Sequence, residues 1–149
     1  MEGNGARAVT CVREGVPVSL PQSFCVGVCN RAGGYADSVR LPAGTVQVIT
    51  SGIPGLTPTG AIPETFEAEA QQAWFNVRKS LLAAGACLHD VVSVRAWLTD
   101  PADIPAHERA TASFLDHDVV TSLVVVQQLR RPGLRVQVDV VAAPRAADS

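Results

Sequence analysis

The segment Leu123-Val124-Val125-Val126 is apolar at every position, and Val136 to Ala142 is interrupted only by Gln137 and Asp139. Side chains on a strand alternate between two faces, so apolar runs without alternation predict strands buried on both sides. Elsewhere the chain offers only two helical patterns, and two helices laid on one sheet cover one face. The second face must then meet another copy or another protein. Composition points the same way: the 149 residues are 47% hydrophobic and only 17% charged. A chain of this length buries roughly 68–70% of the surface that its unfolded form exposes. It therefore folds as one domain without help from a disulfide or a metal.

The pass along the chain gives the order β-β-β-α-β-α-β-β. Residues 1–22 are Gly-, Val- and Pro-rich and read as an N-terminal extension, followed by a single domain over 23–143 and a tail over 144–149. Strands are predicted at Phe24 to Cys29, Tyr35 to Leu41 and Thr45 to Ser51, with a long loop from Gly52 to Pro63. Ala70, Trp74, Val77 and Leu81 then fall at helical spacing. Thr65 is the expected N-cap, Glu67 and Glu69 suit the first turn, and Gly85 is the expected stop. Asp90 to Leu98 returns to strand character, with Val94, Ala96 and Leu98 on one face and Arg95 and Trp97 on the other. Asp103 is placed to cap a second helix with Pro105 in its first turn, burying Ala106, Ala110 and Phe114. Strands at Thr121 to Leu129 and Leu134 to Ala142 are joined by Arg130-Arg131-Pro132-Gly133, a hairpin-like link. The pattern is α+β: a mixed sheet with two helices on one face.

Several function classes are excluded or disfavoured. A formal net charge of -2, from 12 basic and 14 acidic residues, argues against nucleic-acid binding. No apolar run approaches the roughly 18–20 residues of a membrane span. The opening Met1-Glu2-Gly3-Asn4-Gly5 lacks the order of a secretory signal, which makes a cytoplasmic protein the expectation. Cys11, Cys25, Cys29 and Cys87 are then free thiols. Cys25 and Cys29 would share one strand face, either as packing residues or with one serving as a nucleophile. No H-x-x-x-H, paired C-x-x-C or carboxylate cluster indicates a metal. His89, His107 and His117 are read as surface side chains.

Thr50-Ser51-Gly52, the helix from Ala70 to Gly85, Asp90-Val91-Val92, the strand end Leu98-Thr99-Asp100, and Asp103 with Phe114 together resemble the RidA (YjgF) family. The match spans Ala32 to Ala143. The resemblance implies a chorismate-mutase-like α+β fold assembled as a homotrimeric barrel, with small-molecule sites in the clefts between subunits. It implies hydrolysis of reactive enamines and imines to 2-oxo acids and ammonia, with no metal or organic cofactor. The family tyrosine falls on Tyr35 and the family Ser-Gly on Ser51-Gly52, and both are kept. The arginine that grips the substrate carboxylate falls on Thr121, and the last-strand glutamate falls on Gln137. On this resemblance the chain looks like a divergent member lacking the deaminase arginine. One hydrogen bond to a charged group is worth about 1.5–3 kcal/mol, and a guanidinium fork makes two. Gln137 cannot serve as a base.

The altered cleft leaves Thr121, Gln137, Glu108 and Cys29 as candidate catalytic groups, with Glu108 placed to supply the lost acid/base. Glu108 reads equally well as a carboxylate favoured by its helix N-terminus. Tyr35, Ser51, Gly52, Arg95 and Trp97 are the candidate substrate contacts. Arg95 would be a replacement cation and Trp97 a flat wall, or else Arg95 forms an inter-subunit salt bridge with Asp139 or Glu108. The leading expectation is an enzyme acting on a small imine, enamine or activated carbonyl by hydrolysis, tautomerisation or cyclisation. Its single lysine, Lys79, among 12 basic residues suggests GC-rich coding and hence specialised-metabolite biosynthesis. The alternatives are a non-catalytic metabolite-binding or protein-interaction trimer, and a 2-iminobutanoate/2-iminopropanoate-type deaminase with a rearranged site.

Overall fold

The computed structural model describes residues 20–28, 31 and 36–145. Short strands β1 (Gln22–Phe24) and β2 (Ser38–Arg40) pair antiparallel as a separate ribbon. Then come β3 (Val48–Ile49), β4 (Ile53–Pro54), α1 (Phe66–Ala83), β5 (Val91–Leu98), α2 (Ile104–Phe114), β6 (Val120–Val125) and β7 (Val136–Ala142). The main sheet has the order β3-β7-β5-β6, with β4 also on β7. β5 runs antiparallel to β7 and parallel to β6. A parallel pair needs a crossover, and α2 is that crossover.

Several strand expectations are corrected. The strand expected at Phe24 to Cys29 ends at Phe24, which leaves Cys25 outside it. Arg130 to Gly133 does not join a hairpin, because β5 lies between β6 and β7. The strand expected at Thr45 to Ser51 is reduced to Val48–Ile49, and a second short strand occupies the expected loop at Ile53–Pro54. Thr50 explains the break: its hydroxyl accepts from the Val140 amide at 3.0 Å while its own amide donates to the Val140 carbonyl at 3.1 Å. A side chain there replaces one rung of the backbone ladder. β6 is not buried on both faces either. It is the sheet's edge, and Val124 and Val125 are exposed.

Helix α1 begins as expected, with the Thr65 hydroxyl accepting from the Ala68 amide at 3.2 Å. It ends before Gly85, whose φ of 78° is costly for any other residue. For α2 the cap moves. Asp103 makes no side-chain capping bond; Asp100 instead accepts from the Ala102 amide at 2.9 Å, at the start of a 3-10 turn that runs into the helix.

Both helices bury against the face formed by Val94, Leu98, Val136, Val138 and Val140. Trp74 of α1 stacks on Phe114 of α2, with centroids 6.0 Å apart. Glu69 is fully buried in this layer. Its carboxylate accepts from Arg135 Nε at 2.6 Å and from the Arg135 and Val136 amides at 2.7 and 3.3 Å. Two histidines are not surface residues as expected. His107 is buried on α2, and burial lowers its pKa to about 4. His117 is tucked against the start of β5, and only His89 is exposed. No helix among the described residues is long and apolar enough to cross a membrane.

Candidate functional site

Arg95 of β5 stands opposite Asp139 of β7, and Trp97 stands opposite Gln137. Strand partners in register share a face. The alternate residues Val94, Ala96, Leu98, Val136, Val138 and Val140 are buried, so these four side chains belong to the face away from the helices. On β6, Ser122 pairs with Arg95 and Val124 with Trp97, and so join that face.

Arg95 donates from Nε to Asp139 Oδ1 at 2.9 Å, and its guanidinium carbon lies 5.6 Å from the Trp97 ring centroid. The pairing with Asp139 lies within one chain, across adjacent strands, rather than between subunits. The two partners are unequal: the Asp139 side chain is 11% exposed and that of Arg95 60%. A nearly buried carboxylate requires a compensating cation. Among the described residues the Arg95 Nη atoms make no hydrogen bond, which leaves a cation fixed at its root and open at its tip. The cation-over-indole contact adds about 0.5–1 kcal/mol at an exposed position.

Gly52 brings a third element to this face. A Cβ on Gly52 would fall 2.0 Å from Gln137 Nε2, so the absent side chain is what lets the Gln137 amide lie against the backbone. Thr50, bonded to Val140, anchors the stretch, and Ser51 is exposed beside it. Ser51, Gly52, Gln137, Trp97 and Arg95 are thus carried by the β7–β5 pair and the break between β3 and β4. Chemically the group offers a cation, a neutral amide that both donates and accepts, and an aromatic wall, with no free carboxylate among these five residues.

The remaining candidates lie elsewhere. Thr121 pairs with Val94 in register and takes the helix-facing parity. Glu108 is exposed on α2, in the helix layer. Cys29 and Tyr35 lie outside the described residues. Ser122 was not anticipated. Its assignment to the open face depends on the β5–β6 register, which alternation within β6 alone does not supply.

The sequence profile of the endoribonuclease L-PSP family matches residues 19–144. Among solved structures, RidA from an Antarctic Psychrobacter is 28% identical, covering 74% of this chain and 88% of its own, with a TM-score of 0.63. A YjgF/YER057c/UK114 family member from Mycobacterium tuberculosis is 27% identical over 83% of this chain and 99% of its own, with a TM-score of 0.60. The E. coli protein TdcF, solved with bound serine, shares the fold at 23% identity over 70% of this chain and 85% of its own, with a TM-score of 0.63. The chain belongs to the endoribonuclease L-PSP family, the family of the RidA and YjgF proteins that it resembles in both sequence and fold.

Proposed function

We propose that the chain works as a homotrimer whose inter-subunit clefts act on a small imine, enamine or activated carbonyl metabolite. The observation that carries this reading is the open sheet face. There Gln137, seated on Gly52, stands in register with Trp97 and beside the Arg95–Asp139 pair. Ile49, 68% exposed, and Val124, 47% exposed, lie at that face's margins and supply apolar surface for a second copy to cover. A protein of this fold, E. coli TdcF, is solved with bound serine.

The resemblance puts Thr121 at the arginine position, and Thr121 takes the helix-facing parity, so on this reading the ordinary carboxylate grip is missing. Arg95 is the nearest substitute, but Asp139 already takes one of its donors. A substrate with a single anionic or polarised oxygen and a flat body suits Arg95 and Trp97 better than a small free carboxylate. Hydrolysis would add water across the C=N bond to give a carbinolamine, which collapses to a carbonyl compound and releases the amine. Gln137 can orient that water through its amide but cannot take its proton. Glu108 belongs to the opposite layer and can serve such a cleft only from another copy.

The test combines sedimentation with product analysis. The chain is mixed with 2-aminoacrylate generated in situ and with a panel of aryl and alkyl imines, and carbonyl products are followed by mass spectrometry. The expected result is a trimer that turns over at least one small, flat aryl imine at least tenfold faster than 2-aminoacrylate, with Arg95→Ala weakening that turnover. A monomer, or an ordinary preference for 2-aminoacrylate, overturns the proposal. Saturable binding without product supports the non-catalytic trimer instead.

A further inference from the structure

His89, Asp116 and His117 meet at the end of the sheet where β5 and β6 both begin. His89 lies two residues before β5, and Asp116 and His117 lie shortly before β6. The two strands are parallel, which is what brings these starts together. His89 Nδ1 lies 3.4 Å from Asp116 Oδ1, and His117 Nδ1 lies 3.5 Å from the same oxygen. One donor atom from each residue falls within 4.8 Å of the others.

The tautomer of His117 is fixed by its far side. Its Nε2 lies 2.7 Å from the Val91 carbonyl, and a carbonyl only accepts, so that nitrogen carries the proton. In a neutral ring Nδ1 is then a bare lone pair, and it faces a carboxylate oxygen. Two acceptors aimed at each other need either a proton or a metal ion between them. His89 aims a second ring nitrogen at the same oxygen. Two imidazolium rings with centroids 6.3 Å apart would repel around one carboxylate, whereas a single divalent ion takes all three donors at once.

From this geometry we propose that His89, Asp116 and His117 form a binding site for a zinc-type divalent transition ion. Bonds of about 2.0–2.1 Å in a tetrahedron set neighbouring donors ~3.4 Å apart, which is the spacing found on both sides of Asp116. The donor set, two imidazoles and one carboxylate, suits zinc, cobalt or nickel better than magnesium or calcium. The Val91 carbonyl supplies the outer partner that orients a metal-bound histidine. His89 and Asp116 are exposed, so a fourth position opens to solvent. No spacing motif reveals this site, because its ligands come from two segments on either side of β5 and α2.

The test is titration of the tag-free chain with Co²⁺, read by visible absorption, and with Zn²⁺ by calorimetry. The expected result is one ion per chain with an intense tetrahedral Co²⁺ spectrum. His89→Ala and Asp116→Asn should each weaken binding by at least tenfold. His89 is exposed, so its variant is expected to keep the fold even if His117→Ala does not. A Cys25→Ser/Cys29→Ser variant should bind as the parent does. Binding that survives His89→Ala and Asp116→Asn together, binding lost with the cysteines, or no binding at micromolar ion overturns the proposal.

Discussion

Glu69–Arg135 and Arg95–Asp139 each join an arginine to a carboxylate beside β7, one on the helix side of the sheet and one on the open side. In the first pair the carboxylate is wholly enclosed, and the guanidinium is spent. Arg135 Nε bonds Glu69, while its terminal nitrogens reach the carbonyls of Glu64 and Pro63 at 3.2 and 2.6 Å. In the second pair the carboxylate is nearly enclosed, but the guanidinium contributes only Nε and leaves its tip outside. The first arrangement fixes α1 and the loop before it onto the start of β7. The second holds a cation in place without using it up. The difference separates a pair that serves the fold from one available to a ligand.

The sharpest way to break this comparison is to remove Glu69. Glu69→Ala strands Arg135 and two backbone amides in the core layer, and loss of one partner of a buried pair costs about 3–5 kcal/mol. Urea unfolding at fixed chain concentration measures this. A loss under about 1 kcal/mol would mean that the Glu69 carboxylate contributes no more than a surface pair does.

A second titratable group marks the helix layer as sealed. Among the described residues, His107 Nδ1 is buried without a partner, and Nε2 meets only the Thr111 hydroxyl at 3.4 Å. Burial pushes its folded pKa down to about 4, below the ordinary histidine value of 6.5. The unfolded chain therefore binds a proton that the folded chain refuses, and stability falls as the pH drops from 6.5 towards 4. One pKa unit is worth about 1.4 kcal/mol, so the full effect is roughly 3 kcal/mol. Urea midpoints at pH 7 and pH 4 should converge less for wild type than for His107→Phe, which lacks the group. Equal acid sensitivity in the two proteins would place His107 in contact with water.

The fold was legible where one element decides its own shape. Thr65, the Ala70–Trp74–Val77–Leu81 stripe and Gly85 each act within α1, and all behave as read. Failures came where a distant partner decides. The apolar run at Leu123 to Val126 looked doubly buried, but its burial depends on which strand or copy lies beside it, and within one chain β6 is an edge. His107 sits on a helix whose polar residues gave no sign that this one faces inward. Glu69 looked like a first-turn carboxylate favoured by the helix dipole, and only the fold reveals Arg135, 66 residues away. On the open face, the shared parity of Arg95 with Trp97 and of Gln137 with Asp139 was visible in the sequence. Asp139 was one of two salt-bridge partners expected for Arg95, but between subunits; that the pair forms within one chain, and that Ser122 joins it, required the register.

Two glycines allow the finest version of the comparison. A Cβ on Gly55 would lie 2.1 Å from the Glu69 carbonyl oxygen, a backbone atom of α1 held by the sealed pair. Neither side can give way, so Gly55→Ala should cost about 1–3 kcal/mol, as overpacking does. A Cβ on Gly52 would instead meet only the side chain of Gln137, from its amide back to Cγ, and that side chain can rotate outward. Gly52→Ala should therefore shift the unfolding midpoint by under about 1 kcal/mol while moving Gln137 from its place on the open face. The discriminating pair of measurements is urea stability and affinity for whichever imine of the test panel binds the open face. Gly52→Ala should leave the first nearly intact and weaken the second, and Gly55→Ala should do the reverse. If Gly52→Ala destabilises as much as Gly55→Ala, the Gln137 amide is fixed by packing in the way Glu69 is, and the open face is a second structural layer rather than a site.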